Sequence, residues 1–550
     1  MQSSILTDIW PSRVARKPLL KPVLLSLAAL FLFCLPLSQI VLAFSGIRHP
    51  AVSLSLLLII ATVCFGGWEI ARQNRVSVTT TTGWMAISTL LLCLPSFYLH
   101  ADTSAALWYA GGALLVLLLF FTLQQFSFNH FQRQYLLLLP LLAGWLVALP
   151  ILIASIIPSL SDILSAEIRR DTAAIILMTS MTLSAYLLAR TKVYKRNWLP
   201  VHGVLIATPL VMVFALLQMH SAWLVTVILA LILFAQPFLF RYCRKLHHGL
   251  WNLSVMSGFV LVWLYQGLPE AALLSPRYSE SVQAVITQTW QLLGSAQFEG
   301  VGLGQLATAQ LLYGVGHQDV LPVIAPYPSW LLGMLAQGGI AYWLGFGVLF
   351  AVTFKRLTEA PNGTRMMLFA ILLPSLIGML LTAYTAVNPV LAVLFIVLLY
   401  WVDNLTARYQ RVAFAYGRTL RLATYAVLTL STLTVFSSVY LGEQALRTHQ
   451  IRGIKLAQYE LHPWWHSFYR DEIGKRAFFD SVEKRDSQAQ EAYLRDQIRL
   501  LARKPSADKY QTLIELAVLT DNRAIARQIS EEATLLFPDQ RFEPSFTLPQ

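Results

Sequence analysis

Charge is scarce in this chain. Asp, Glu, Lys and Arg make up 13% of its 550 residues, while 56% are hydrophobic and 12% aromatic. That ratio excludes a water-soluble fold of ordinary proportions, because one core cannot hide so much apolar surface; the chain must use lipid as solvent. Acids are the scarcer charge, 28 against 41 bases, for a net +13. Cysteine is nearly absent: Cys34, Cys64 and Cys93 fall in apolar runs and Cys243 lies beside a basic loop. The pattern speaks for reduced or buried thiols and against a disulfide framework or a metal site.

What the chain has in quantity is apolar length. A helix needs about 20 mostly apolar residues to cross hydrocarbon, and about thirteen runs qualify. They lie near 22–44, 51–71, 83–100, 105–127, 135–158, 173–189, 198–217, 221–240, 250–267, 330–354, 366–384, 389–403 and 422–442. The first is longer than a signal-peptide core and no small-x-small cleavage site follows it, so it is read as a span. The sequence thus predicts an all-α polytopic membrane protein with about 13 transmembrane helices in residues 1–442, a large outer loop at 268–329, and a separate helical domain at 443–550.

Lys and Arg resist translocation and gather in cytoplasmic loops. Arg13, Arg16, Lys17 and Lys21 precede the first span, and Arg190, Lys192, Arg241, Lys245, Lys355, Arg365, Arg408 and Arg418 recur on the same side. About 21 bases lie there against about four opposite, which puts the amino terminus inside and the carboxyl terminus and loop 268–329 outside. Within 443–550 the charges balance at about 16 of each sign. The surplus is therefore a topology signal, and no nucleic-acid partner is implied.

The tail carries helix signals. Ser487-x-x-Gln490 reads as a capping box opening a run to about Arg503, and Asp521 as the cap of a run ending near Phe537–Pro538. Residues 516–538 are similar to one helix-turn-helix unit of the tetratricopeptide kind. His462 and His466 flank Trp464–Trp465, but Pro463 breaks the helix that a His-x-x-x-His metal site needs, so this reads as tail-to-membrane packing. Glu69 and Asp403 lie near cytoplasmic span ends and are expected to reach the interface.

A loop of roughly 60 residues is too long for a connector and needs structure of its own. Residues 279–300 form an amphipathic stretch with Val282, Val285, Ile286, Trp290, Leu292 and Leu293 largely on one side, suited to a helix on the membrane surface. GVGLGQL at 300–306 follows, and its alternate glycines allow either a tight turn or a phosphate-cradling nest.

Three pieces together resemble the bacterial O-antigen ligase superfamily, most closely its branch of pilin and protein O-oligosaccharyltransferases. They are the tryptophan-bearing amphipathic segment leading into GVGLGQL, the segment YPSWLLGMLAQGGIAYWLGF at 327–346, and the final spans followed by a soluble tail ending in a repeat-like LLFP. The resemblance implies a multi-pass protein of the bacterial inner membrane that transfers an oligosaccharide from undecaprenyl diphosphate to a periplasmic acceptor, a protein or lipopolysaccharide. It implies no cofactor and no metal.

Inverting transfer needs a base for the acceptor hydroxyl and fixed positive charge for the leaving diphosphate, roles suited to His and Arg. The His-Asn pair usual in these enzymes maps onto Pro328 and Ser329, and proline cannot accept a proton. The nearest histidine, His317, is then the candidate base; the alternative is a solvated loop histidine or one bonded to Asp319. The usual Ser-Arg maps onto MHSAW at 219–223, where His220 replaces the arginine as a candidate phosphate contact or stands as a neutral interfacial residue. Arg169 and Arg170 form a basic pair against the topology bias, either for carrier binding or for a local network with Asp162, Glu167 and Asp171. The missing base keeps a second reading open, an inactive relative serving as membrane partner in a surface-glycan or pilus pathway, and a polysaccharide polymerase is a third. A transporter ranks last, because no two related halves are visible.

Overall fold

The computed structural model describes residues 19–38, 49–128, 130–156, 170–190, 199–218, 229–235, 245–266, 286–294, 296, 298–306, 308–310, 313, 329–361, 364–381, 389–448, 457–484, 486–503, 507–520, 522–537 and 541–542. The membrane part consists of α1 (Leu20–Leu37), α2 (Pro50–Gln73), β1 (Arg75–Val78), α3 (Thr80–Cys93), α4 (Thr103–Gln124), α5 (His130–Ile156), α6 (Arg170–Arg190), α7 (Leu199–Gln218), α8 (Lys245–Gln266), α9 (Trp330–Thr358), α10 (Arg365–Leu381), α11 (Pro389–Thr406), β2 (Gln410–Ala413) and α12 (Gly417–Thr448). Among the described residues eight helices are long and apolar enough to cross a membrane, namely α1, α2, α4, α5, α6, α7, α9 and α12, and α10 and α11 are shorter apolar helices. The eight coincide with eight of the thirteen apolar runs. The run at 221–240 lies largely outside the described residues.

The chain is a helical polytopic membrane protein, but not purely helical. β1 and β2 pair antiparallel, Arg75 opposite Ala413 and Val78 opposite Gln410. Four-residue strands more than 300 residues apart are too short to show an alternating pattern and too distant to read as a hairpin. Asn74 ends α2 in the left-handed conformation at φ 50° and turns the chain into β1. Its carbonyl accepts from Phe414 N, which ties the end of α2 to the start of α12.

The ribbon marks one face of the bundle. α2, α4 and α11 end there and α3 and α12 begin there, with Arg72, Arg75, Lys355, Arg356, Arg408, Arg411, Arg418 and Arg421 gathered around it. The opposite face follows from packing. Gly378, late in α10, lies against Ile175, early in α6. The short 359–364 link brings α10 back from the ribbon face, so the starts of α6 and α9 share the far face.

Burial separates centre from rim: 89% of the α6 window is buried and 11% of that in α12. α6 tolerates the centre because its hydroxyls are all bonded. Ser180 donates to the carbonyls of Pro140 and Leu141, Trp251 donates to Ser184, and Thr179 and Thr182 bond back to their own helix. Only glycine at 144 lets α5 approach so closely, since a Cβ there would collide with the Ser180 hydroxyl.

The tail adds α13 (Ala457–Glu460), α14 (His466–Glu483), α15 (Ser487–Arg503), α16 (Ala507–Leu519) and α17 (Arg523–Leu536). Its core is built from Leu494, Tyr510, Leu513, Ile514, Ile529 and Leu536. α15 spans the expected residues, but its cap sits one position earlier: Asp486 Oδ1 accepts from Gln488 N and Ala489 N, while Gln490 reaches back to the Ser481 carbonyl. Asp521 lies outside the described residues.

Candidate functional site

On the far face the segment 298–304 is built into a broken helix. At Gly339, with φ 58° and ψ −146°, α9 leaves helical geometry. The break removes the normal acceptor of the Ile340 amide and the normal donors to the carbonyls around 336–337. The loop replaces them. Ile340 N donates to Phe298 O at 2.9 Å, Val301 N to Ala336 O at 3.0 Å, and Gly302 N to Gln337 O at 3.1 Å. The fully buried Gln337 side chain completes the joint, accepting from Gly304 N at 2.8 Å and donating to Gly333 O at 3.2 Å. Leu303 O in turn accepts from Asp102 N at the start of α4.

This geometry decides between the two readings of the glycine segment. Gly300, Gly302 and Gly304 all take positive φ, at 85°, 94° and 80°, as a nest would require. The amides of Val301, Gly302 and Gly304, however, are occupied by Ala336 and Gln337 and do not face an anion. The segment is a joint. Glycine is required at 302 because a Cβ would lie 2.6 Å from the His100 carbonyl oxygen, and at 339 because one would overlap the Phe298 carbonyl.

Beside the joint the 286–294 helix lies against α9. Its buried side carries Gln288, Thr289, Leu292 and Leu293, and its exposed side Ile286 and Trp290. Trp290 stacks on Trp343 of α9, with centroids 5.9 Å apart and an interplanar angle of 25°. The sequence groups Leu292 and Leu293 with Trp290. The structure divides them, Leu292 and Leu293 inward and Trp290 outward. Ser329, at the place of the expected His-Asn pair, caps α9 by accepting from Leu332 N at 3.3 Å.

The residues expected to carry chemistry stand as follows. Arg169, His220, His317 and Pro328 lie outside the described residues, and Arg170 is described only as the first residue of α6. That position places the backbone at Arg170 on the same face as the start of α9 and the glycine joint. Residues absent from the sequence reading, Gln337 and Asp102, organise this face. Neither belongs to a recognisable motif.

The ribbon face holds a polar cluster, and here two expectations are corrected. Asp403 does not reach the interface but is fully buried. It accepts from Thr81 at 2.5 Å, Gln124 at 3.0 Å and Thr79 at 3.3 Å, and Arg356 Nε lies 3.5 Å away. Arg356 also bonds Thr81 at 2.6 Å, Thr80 and Glu359. Glu69 is likewise buried and accepts from Leu19 N at 3.1 Å and Gln73 at 2.6 Å. With every partner supplied by the bundle, these carboxylates clamp helix ends together; Asp403 joins α3, α4, α9 and α11.

At the far end of α12 from the ribbon the tail folds back. Tyr459 donates to Leu441 O, His462 Nε2 to Thr434 O and Trp465 to Ser438, at 2.9–3.0 Å. Trp465 is fully buried against Gly442, so the segment around this histidine pair packs on α12.

A comparison with curated proteins returns no match. Residues 386–547, which take in α11, α12 and the tail, match the family model described as virulence factor membrane-bound polymerase, C-terminal.

Proposed function

We propose that this protein is a membrane-embedded glycosyltransferase that moves a glycan from an undecaprenyl-diphosphate carrier to an acceptor on the face bearing the tail. By the positive-inside rule that face is the periplasmic one of a bacterial inner membrane, since bases crowd the ribbon face. The match of the last two apolar helices and the tail to a membrane-bound polymerase family carries the reading. The acceptor hydroxyl attacks the anomeric carbon, the bond to the diphosphate oxygen breaks, and the hydroxyl proton passes to a base. His317 is the candidate base, and Arg169, Arg170 and His220 are the candidate contacts to the leaving diphosphate.

The family description favours a polymerase, in which the acceptor is a second lipid-linked glycan. A ligase acting on protein, pilin or lipopolysaccharide is the second reading, favoured by the helical-hairpin tail. Membranes containing the protein, a lipid-linked donor and each acceptor class separate the two: a polymerase yields a ladder of lengths, a ligase a single addition. Transfer should be lost in His317→Ala and, separately, in Arg170→Ala. Unchanged transfer in both variants rejects the site assignment. No transfer by the unaltered protein with any donor favours the partner role.

A further inference from the structure

The fold-back of the tail has a depth that can be measured along its neighbours. α2 and α12 run antiparallel in contact: Gly67 faces Thr424, and the rings of Trp68 and Tyr425 lie 4.5 Å apart. At about 1.5 Å per residue, Thr434 of α12 stands about 15 Å from that level toward the far face, level with Leu57 of α2. Leu57 is seven residues inside the Pro50 end of that helix, about 10 Å below it. α2 is about 36 Å long against about 30 Å of hydrocarbon, so even if all the excess protrudes on this side the level of Thr434 lies about 4 Å within the apolar layer. His462 is bonded to the carbonyl at that level.

We infer that the turn Leu461–Pro463 is inserted into the membrane leaflet on the side of the tail, and that the recess it forms with α12 seats a phospholipid hydrocarbon chain. Leu461 is 90% exposed and continues a lipid-facing stripe on α12 formed by Leu433, Phe436 and Tyr440. In water this would be a large apolar patch; in a leaflet it is matched to its solvent. The ring and the carbonyl of His462, the polar side chain of the turn, are bonded within the protein. His462 donates through Nε2 to Thr434 O and accepts at Nδ1 from Trp464 N, and its carbonyl accepts from the amides of Trp465 and His466.

The recess measures about 470 Å³ and is lined by Leu433, Ser437, Tyr440, Leu441, Leu461 and Pro463. The Ser437 and Thr434 hydroxyls bond back to the carbonyls of Leu433 and Leu430. Thr434, Ser437 and His462 are thus bonded within the protein, and the carbon lining of Leu433, Leu441, Leu461 and Pro463 fits hydrocarbon as the occupant.

The test uses the full chain in phospholipid vesicles, with p-benzoyl-phenylalanine placed singly at 461, 433 or 495 and photoactivated. A phospholipid adduct is expected at 461, comparable with that at 433, and its loss is expected at 495 in the tail. Adduct at 433 but none at 461 overturns the insertion. A nitroxide at 461, in a background with the four cysteines replaced by alanine, gives an independent reading. Collision with oxygen exceeding collision with a water-soluble nickel complex supports insertion, and the reverse order overturns it. Because the Leu461 side chain is exposed, neither probe has to displace the core.

Discussion

Asp403 carries a burden that a snorkelling carboxylate escapes. Buried in a membrane bundle, it has no water to fall back on, so its hydroxyl, amide and guanidinium partners must all be present at once. Removing the acid leaves Arg356 buried beside a void. Asp403→Ala should therefore lower stability by about 3–5 kcal/mol, the range for breaking a buried pair, while Asp403→Asn, which keeps acceptor and volume, should lose less. Thermal unfolding in detergent checks the order, and equal midpoints for Asp403→Ala and the unaltered protein would refute the clamp. None of this was legible in the sequence. Asp403 lies three residues from the end of an apolar helix, a position that looks interfacial, and its threonine partners come from the other end of the chain. Cys34 and Cys64 were simpler: apolar neighbours in sequence became apolar neighbours in space, and both thiols are buried and free.

Among elements, α9 shows where pattern reading stops. Its apolar length predicts a continuous span, and the span is there, but the Gly338–Gly339 pair marks a break that apolarity alone does not reveal. What completes the break, the 298–304 segment, is recognisable in sequence only as glycine-rich; its role follows from which carbonyls it meets. The joint predicts that Gly339→Ala and Gly302→Ala are each costly, by about 3 kcal/mol or more, from positive φ and steric overlap together. Gly112→Ala in α4, where a Cβ meets nothing within 4 Å, should be neutral or slightly stabilising. Folded yield and unfolding midpoint after purification distinguish them. Equal behaviour of all three would mean that the joint does not hold the far end of the bundle. The 286–294 helix teaches a related lesson: packed beside α9, it buries Gln288 and exposes Trp290, so polarity alone does not say which side faces the protein.

At the scale of the whole molecule, sidedness connects the pieces. The excess of bases was readable from composition and position, and the structure gathers the described ones around the β1–β2 ribbon, while the glycine joint, the start of α6 and the folded-back tail share the other face. The ribbon itself was invisible to sequence reading, yet it fixes the register between α2 and α12 on which the depth of the tail depends. If bases mark the cytoplasm, a membrane-impermeant maleimide applied to intact cells should label a cysteine at 495, replacing an exposed arginine of α15, and should leave one at 411 in β2 unlabelled until the membrane is opened. The native cysteines provide the blank. The reverse pattern would invert the protein and, with it, move the proposed transfer to the cytoplasmic side, where a tail and joint facing the carrier would need a different donor. Labelling of both sites in intact cells would show that the ribbon and the tail share a face, which the antiparallel run of α2 against α12 forbids.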